Sequence, residues 1–197
     1  MLKKRVAVLV SGNGTNLQAL LEAEKHGVIR SGEIVIVISD RLGAYALNRA
    51  AAAGVKACLI DKKTLGQQEF EAQLLQLLTA ESIDLIVMAG FLSILSADFT
   101  RRYEKRILNI HPALIPAFCG PGFYGLKVHE AALERGVKIS GATVHFVNEI
   151  PDGGEIITQQ AVEVQPNDTP QTLQQRIMEQ AEWILLTQAV EQVCKEI

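Results

Sequence analysis

The chain has 197 residues, enough for one well-buried α/β domain and too few for two comfortable ones. Hydrophobic residues make up 48% and charged residues 21%, and the net charge of -3 argues against a broad nucleic-acid footprint. No stretch approaches the ~20 apolar residues of a membrane span, and residues 6–10 are too short for a signal core.

Strand and helix patterns alternate along most of the length. Residues 5–10, 33–39, 55–60 and 84–89 are β-rich runs. Between them lie helical patterns: 16–25 through Leu17, Leu20 and Leu21, then 44–53, stopping at Gly54, then an amphipathic segment carrying Phe70, Leu74, Leu75 and Leu78. Repeated β-α-β order predicts a doubly wound parallel sheet with helices on both faces. Residues 107–110 read as a further buried strand, ended by Pro112. A long loop rich in Pro and Gly follows, then a helix near 127–134. Two strands, 140–147 and 155–164, join through the turn-forming Pro151-Asp152-Gly153-Gly154. A last helix starts at Thr169-Pro170 and runs nearly to the end. No repeat or linker divides the chain, so one domain over residues 1–197 is expected.

Asn109 and His111 are two apart on a strand, so their side chains share a side. An amide donor and an imidazole at a strand end suit a reacting carbonyl: Asn stabilises an oxyanion and His moves a proton near neutral pH. The plainer reading is a capping Asn and a His that satisfy local backbone groups. The loop Ser11-Gly12-Asn13-Gly14-Thr15-Asn16 precedes a helix, where glycines and free N–H groups favour a phosphate. A bulky replacement of Gly14 would then block the anion. Neither the P-loop ending nor the third glycine of the dinucleotide fingerprint is present, and the plainer alternative is a tight turn capped by Thr15 or Asn16. Asp152 is a turn former, or a carboxylate that orients His111 and favours its cation. His145 alternates with Thr143 on one strand face, as a satisfied core residue or a support for the site. His26 and His129 look structural, and Cys119 has no evident base. Cys58, Cys119 and Cys194 show no metal spacing and read as reduced cytoplasmic thiols; no metal is expected.

The blocks VLVSGNGTNLQALLEA, IVMAGFLSILS, NIHPALIPAF and GATVHFVNEIPDGGEII, in this order, resemble the phosphoribosylglycinamide formyltransferase family, folate-dependent enzymes of purine synthesis. The resemblance covers essentially the whole chain. It implies a Rossmann-like formyltransferase fold, mostly parallel with a C-terminal antiparallel extension. A phosphate-binding half would span about 1–106 and a folate-binding, catalytic half about 107–197. Asn109, His111 and Asp152 would form the catalytic trio, with Thr143 and His145 supporting. The substrate phosphate would sit on Gly14, Thr15 and Asn16, and the substrate ribose on Glu182, whose alignment needs a one-residue gap. The pterin would lie along Leu92, Ser93, Ile94 and Leu95 and along Asn148, Glu149, Ile150 and Pro151.

The reaction implied moves a formyl group from 10-formyltetrahydrofolate, a co-substrate, to the amine of glycinamide ribonucleotide. These small molecules are the expected partners, without nucleic acid, membrane or metal, for a monomer or homodimer. Hydrolysis of the formyl-folate and formylation of methionyl-tRNA are related alternatives, and a non-catalytic sugar-phosphate sensor is a third. Ser93 and Gln67 stand where many members carry Arg, Ala113 replaces the usual serine, and the loop 118–125 is longer than common. These departures bear on the folate tail and the loop rather than on the chemistry.

Overall fold

The computed structural model describes residues 2–197. Four parallel strands open the chain: β1 (Lys4–Val10), β2 (Gly32–Ser39), β3 (Lys56–Leu59) and β4 (Leu85–Met88). The helices α1 (Thr15–Lys25), α2 (Ala46–Ala52) and α3 (Lys62–Ala80) connect them. Next come α4 (Ala97–Arg102), β5 (Ile107–His111), α5 (Leu126–Arg135), β6 (Ile139–Phe146) and β7 (Ile156–Glu163). The helix α6 (Pro170–Ile177), a π-helical turn (Met178–Glu182) and α7 (Trp183–Glu196) end the chain. No helix among the described residues is long and apolar enough to cross a membrane.

One seven-stranded sheet runs in the order β3-β2-β1-β4-β5-β6-β7. β1 to β5 pair in parallel, while β6 and β7 add in antiparallel fashion. Strand alternation divides the core between the two faces. Val6, Val8 and Val10 pack with Leu17, Leu20, Leu173, Leu186 and Val190 on one side. Ala7 and Leu9 pack with Phe70, Leu74, Leu78 and Phe99 on the other. Strand order reverses between β1 and β4, so the loops leaving their carboxyl ends flank the crevice where open α/β sheets bind ligands.

The expected elements are present, with three additions. α4 is a short helix capped by the Ser96 side chain, which accepts from Phe99 N–H. α3 is kinked at Gly66, which takes φ 76°. The last helix keeps helical backbone throughout, but between α6 and α7 the Trp183 N–H reaches back to the Met178 carbonyl.

Candidate active site

The glycine loop leaves β1 and enters α1 at Gly14, whose φ of 75° suits only glycine well. Among the described residues no side chain caps this helix, so the N–H groups of its first turn remain open. Thr15 and Asn16 are therefore not caps. Thr15 Oγ1 donates to Met178 Sδ at 3.7 Å, and Asn16 Nδ2 donates to Glu182 Oε2 at 2.8 Å. Asn16 Oδ1 is buried without a partner among the described residues. Burial raises the Glu182 carboxyl to about 7, against the opposing Asn16 hydrogen bond. Glu182 ends the π-helical turn, where one residue more than an α-helix needs is taken up. A Cβ on Gly14 would lie 2.7 Å from Ala46 Cβ, so the loop is also packed against α2. Replacing Gly14 therefore disturbs packing as well as any anion.

At the end of β5, antiparallel pairing sets His145 opposite Asn109 and Thr143 opposite His111. Asn109 Nδ2 lies 3.2 Å from His145 Nε2 and 3.5 Å from Asp152 Oδ1. His111 Nδ1 and His145 Nε2 each stand 3.6 Å from an Asp152 oxygen. Asp152, at φ 55° in its turn, also accepts from Gly120 N–H at 2.8 Å. Gly154 closes that turn against β6, where a Cβ would run into the Phe146 carbonyl. Thr143 acts one step away: its Oγ1 donates to the Ala113 carbonyl at 2.7 Å and accepts from Ile115 N–H at 3.1 Å, which pins the turn after His111. The structure thus brings Asn109, His111, Asp152 and His145 into one cluster.

His111 is buried, and burial pushes its imidazole below the ordinary value. The Asp152 charge and the Phe118 carbonyl raise it part of the way back, while His145 lowers it. Burial thus works against the cation that Asp152 favours. Both ring nitrogens nevertheless face oxygen acceptors, Nε2 at 2.8 Å from Phe118 O and Nδ1 towards Asp152. The ring is placed to accept one proton and to hold the resulting cation. Asp152 is pushed up by burial, but His145, the Gly120 N–H and the His111 charge outweigh this and hold it below its ordinary value. His129 is fully buried, with both ring nitrogens unpartnered among the described residues, and burial lowers it to about 4.

From this cluster a crevice of about 530 Å³ runs outward. Leu92, Ser93, Ile94 and Leu95 line one wall; Asn148, Glu149 and Pro151 line another, with Phe123 and Tyr124 of the long loop. Ile150 departs from the expected set: it is 59% exposed on the rim and does not line the crevice. Ser11 Oγ accepts from Leu92 N–H at 2.8 Å, tying the glycine loop to this wall. Asp40, Arg41, Phe118 and Gly120 were not evident as site residues. Asp40 and Arg41 follow β2 and come near only through the parallel pairing of β2 with β1. Phe118 and Gly120 reach the cluster through backbone atoms, which side-chain patterns do not reveal.

Residues 4–190 match the formyl transferase family. The chain is 44% identical over 178 residues to the trifunctional purine biosynthetic protein adenosine-3 of Gallus gallus, a match covering 90% of the chain and 17% of that protein. It is 36% identical over 196 residues to the chloroplastic phosphoribosylglycinamide formyltransferase of Arabidopsis thaliana, covering 98% of the chain and 66% of the relative. The crystal structure of glycinamide ribonucleotide transformylase 1 from Symbiobacterium toebii superposes with a TM-score of 0.91 at 40% identity, covering 98% of this chain and 89% of that one. With the Asn109–His111–Asp152 cluster at the end of β5, this chain belongs to the formyl transferase family.

Proposed function

We propose that the protein transfers the formyl group of 10-formyltetrahydrofolate to the amine of glycinamide ribonucleotide, in the cytoplasm and as a monomer or homodimer. The observation that carries this reading is the convergence of Asn109, His111 and Asp152 at the inner end of a crevice, beside an uncapped helix start. The open N–H groups at Gly14, Thr15 and Asn16 suit a phosphate. The carboxyl of Glu182, buried and only partly ionised near neutral pH, suits the ribose hydroxyls. The pterin takes the wall formed by Leu92, Ser93, Ile94 and Leu95, facing Asn148, Glu149 and Pro151, with Ile150 at the edge.

The amine attacks the formyl carbon directly. Charge develops on the formyl oxygen, and Asn109 Nδ2 donates to it. The attacking amine must lose a proton as it bonds. The neutral His111 ring accepts it, and the imidazolium so formed is held by Asp152 and the Phe118 carbonyl. That cation then stabilises the oxyanion and returns its proton to the departing folate nitrogen as the tetrahedral centre collapses. His145 orients Asn109 and Asp152, and Thr143 fixes the turn that carries His111.

The test is a comparison of acceptors. Purified protein with 10-formyltetrahydrofolate is offered glycinamide ribonucleotide, water or initiator tRNA, and release of tetrahydrofolate is followed. Rapid release with glycinamide ribonucleotide alone is expected; equal release without it would assign hydrolysis instead.

A further inference from the structure

The crevice has its chemistry at one end and a charge at the other. Asn109, His145 and Asp152 stand at the inner end, and Glu149 adds a second carboxylate along the wall. Among the described residues, Arg41 is the one cationic side chain that lines it. Glu149 and Asp152 repel a carboxylate-bearing ligand in this slot, and Arg41 attracts it.

Arg41 is held as an anion receptor needs to be. Its backbone N–H donates to Ser39 Oγ at 3.2 Å, and the same hydroxyl donates to the Arg41 carbonyl at 2.9 Å. Its Nε donates to Asp40 Oδ1 at 3.4 Å. The Asp40 side chain is 2% exposed and accepts with its other oxygen from Ser93 Oγ at 2.6 Å. One buried carboxylate therefore spans from Arg41 to the crevice wall. The Arg41 side chain is 49% exposed, and its two Nη groups make no hydrogen bond among the described residues. Nearby Lys62 is already engaged, donating to the Ile94 carbonyl at 3.3 Å above the Phe70 ring.

We propose that Arg41 is the specificity residue for the anionic tail of the co-substrate. Its Nη fork receives a carboxylate of the glutamate that follows the aminobenzoyl group, and Asp40 holds the guanidinium in place. A planar fork suits a carboxylate better than a point charge does. The inference rests on the proposed use of a formyl-folate and adds which side chain reads its tail.

Calorimetry on the full chain tests it without turnover, using tetrahydrofolate and tetrahydropteroate, which lacks the glutamate. In Arg41→Gln, tetrahydrofolate affinity is expected to fall about fivefold or more, the scale of an ion pair with fork geometry at a half-exposed site, while tetrahydropteroate affinity is kept. Arg41→Lys should fall between parent and Gln. Asp40→Asn, which retains the side-chain shape, should give a smaller loss with the same selectivity. In kinetics the loss should appear in KM for 10-formyltetrahydrofolate, with kcat and the KM for glycinamide ribonucleotide unchanged. Equal losses for both folates, or no loss for either, would overturn the proposal. A parent that binds tetrahydrofolate but transfers no formyl group would instead sink the proposed function and leave the tail assignment standing.

Discussion

His111 Nε2 lies 2.8 Å from the carbonyl oxygen of Phe118, so the loop after β5 grips the imidazole that β5 delivers. The same loop reaches Asp152 through the Gly120 N–H. Phe118 takes φ 50° to do so, a conformation that costs a non-glycine residue about 1 kcal/mol. Burial disfavours charge on this ring, while Asp152 and the Phe118 carbonyl favour it.

His111→Ala is expected to fold like the parent and to lose about 10²–10⁴ in kcat, the usual scale for a proton-transfer group. Matched circular-dichroism melts with turnover retained within about twofold would remove His111 from the chemistry.

Asn109→Ala should lower kcat by an amount equivalent to about 2.7–4 kcal/mol, because the oxyanion exists only in the transition state. Steady-state kinetics separate this from binding: a change confined to KM would make Asn109 a substrate contact only.

Asp152 raises the His111 value that burial depresses. Asp152→Asn deletes the charge, so the imidazole should titrate lower still. NMR titration of the ring in both proteins measures this directly. If the neutral ring is the proton acceptor, parent turnover should fall only as pH drops through the depressed His111 value, below ~6.5. In the Asn variant kcat should be reduced across neutral pH, because the imidazolium formed in the reaction has lost its carboxylate. An unchanged ring titration would show that the two residues are not coupled.

Gly12 and Gly14 should separate binding from packing. A Cβ at Gly12 meets nothing within 4 Å, whereas one at Gly14 meets Ala46 and a left-handed backbone. Gly14→Ala is expected to lower Tm, while Gly12→Val should keep Tm and weaken glycinamide ribonucleotide alone. Calorimetry with both substrates and a thermal melt check the pair.

His129 makes stability pH-dependent. Its folded value of about 4 lies below the ~6.5 of an unfolded chain. The unfolded state therefore binds more protons between these values, and stability present above pH ~6.5 is lost as pH falls towards 4. His129→Leu should flatten that slope in urea titrations at pH 5 and pH 8. An identical slope would place the acid sensitivity elsewhere.

The parallel sheet is legible because its strands are short apolar runs separated by helical periodicity, and β1 and β4 show it plainly. α4 is not: six residues give too little periodicity, and Ser96 is its one strong signal. Asn109 and His111 are legible as a pair from strand alternation alone. Their meeting with His145 depends on the β5–β6 register, and the state of His111 on burial; both are tertiary facts. Asp40 and Arg41 lie far from the motif in sequence and carry no local pattern, so only the strand order brings them to the crevice.

The π-helical turn has a consequence for chain length. One extra residue in an α-helix rotates everything after it by about 100°, which would swing Leu185, Leu186, Ala189, Val190 and Val193 off the core. Here Met178–Glu182 absorbs the residue, and Gln160 Nε2 caps the Gln180 carbonyl at 2.6 Å. The stretch between Arg176 and Glu182 can therefore lose one residue while Glu182 and the buried face of α7 hold their places. A relative without the extra residue would carry a plain α-helix there and present the same carboxylate to Asn16.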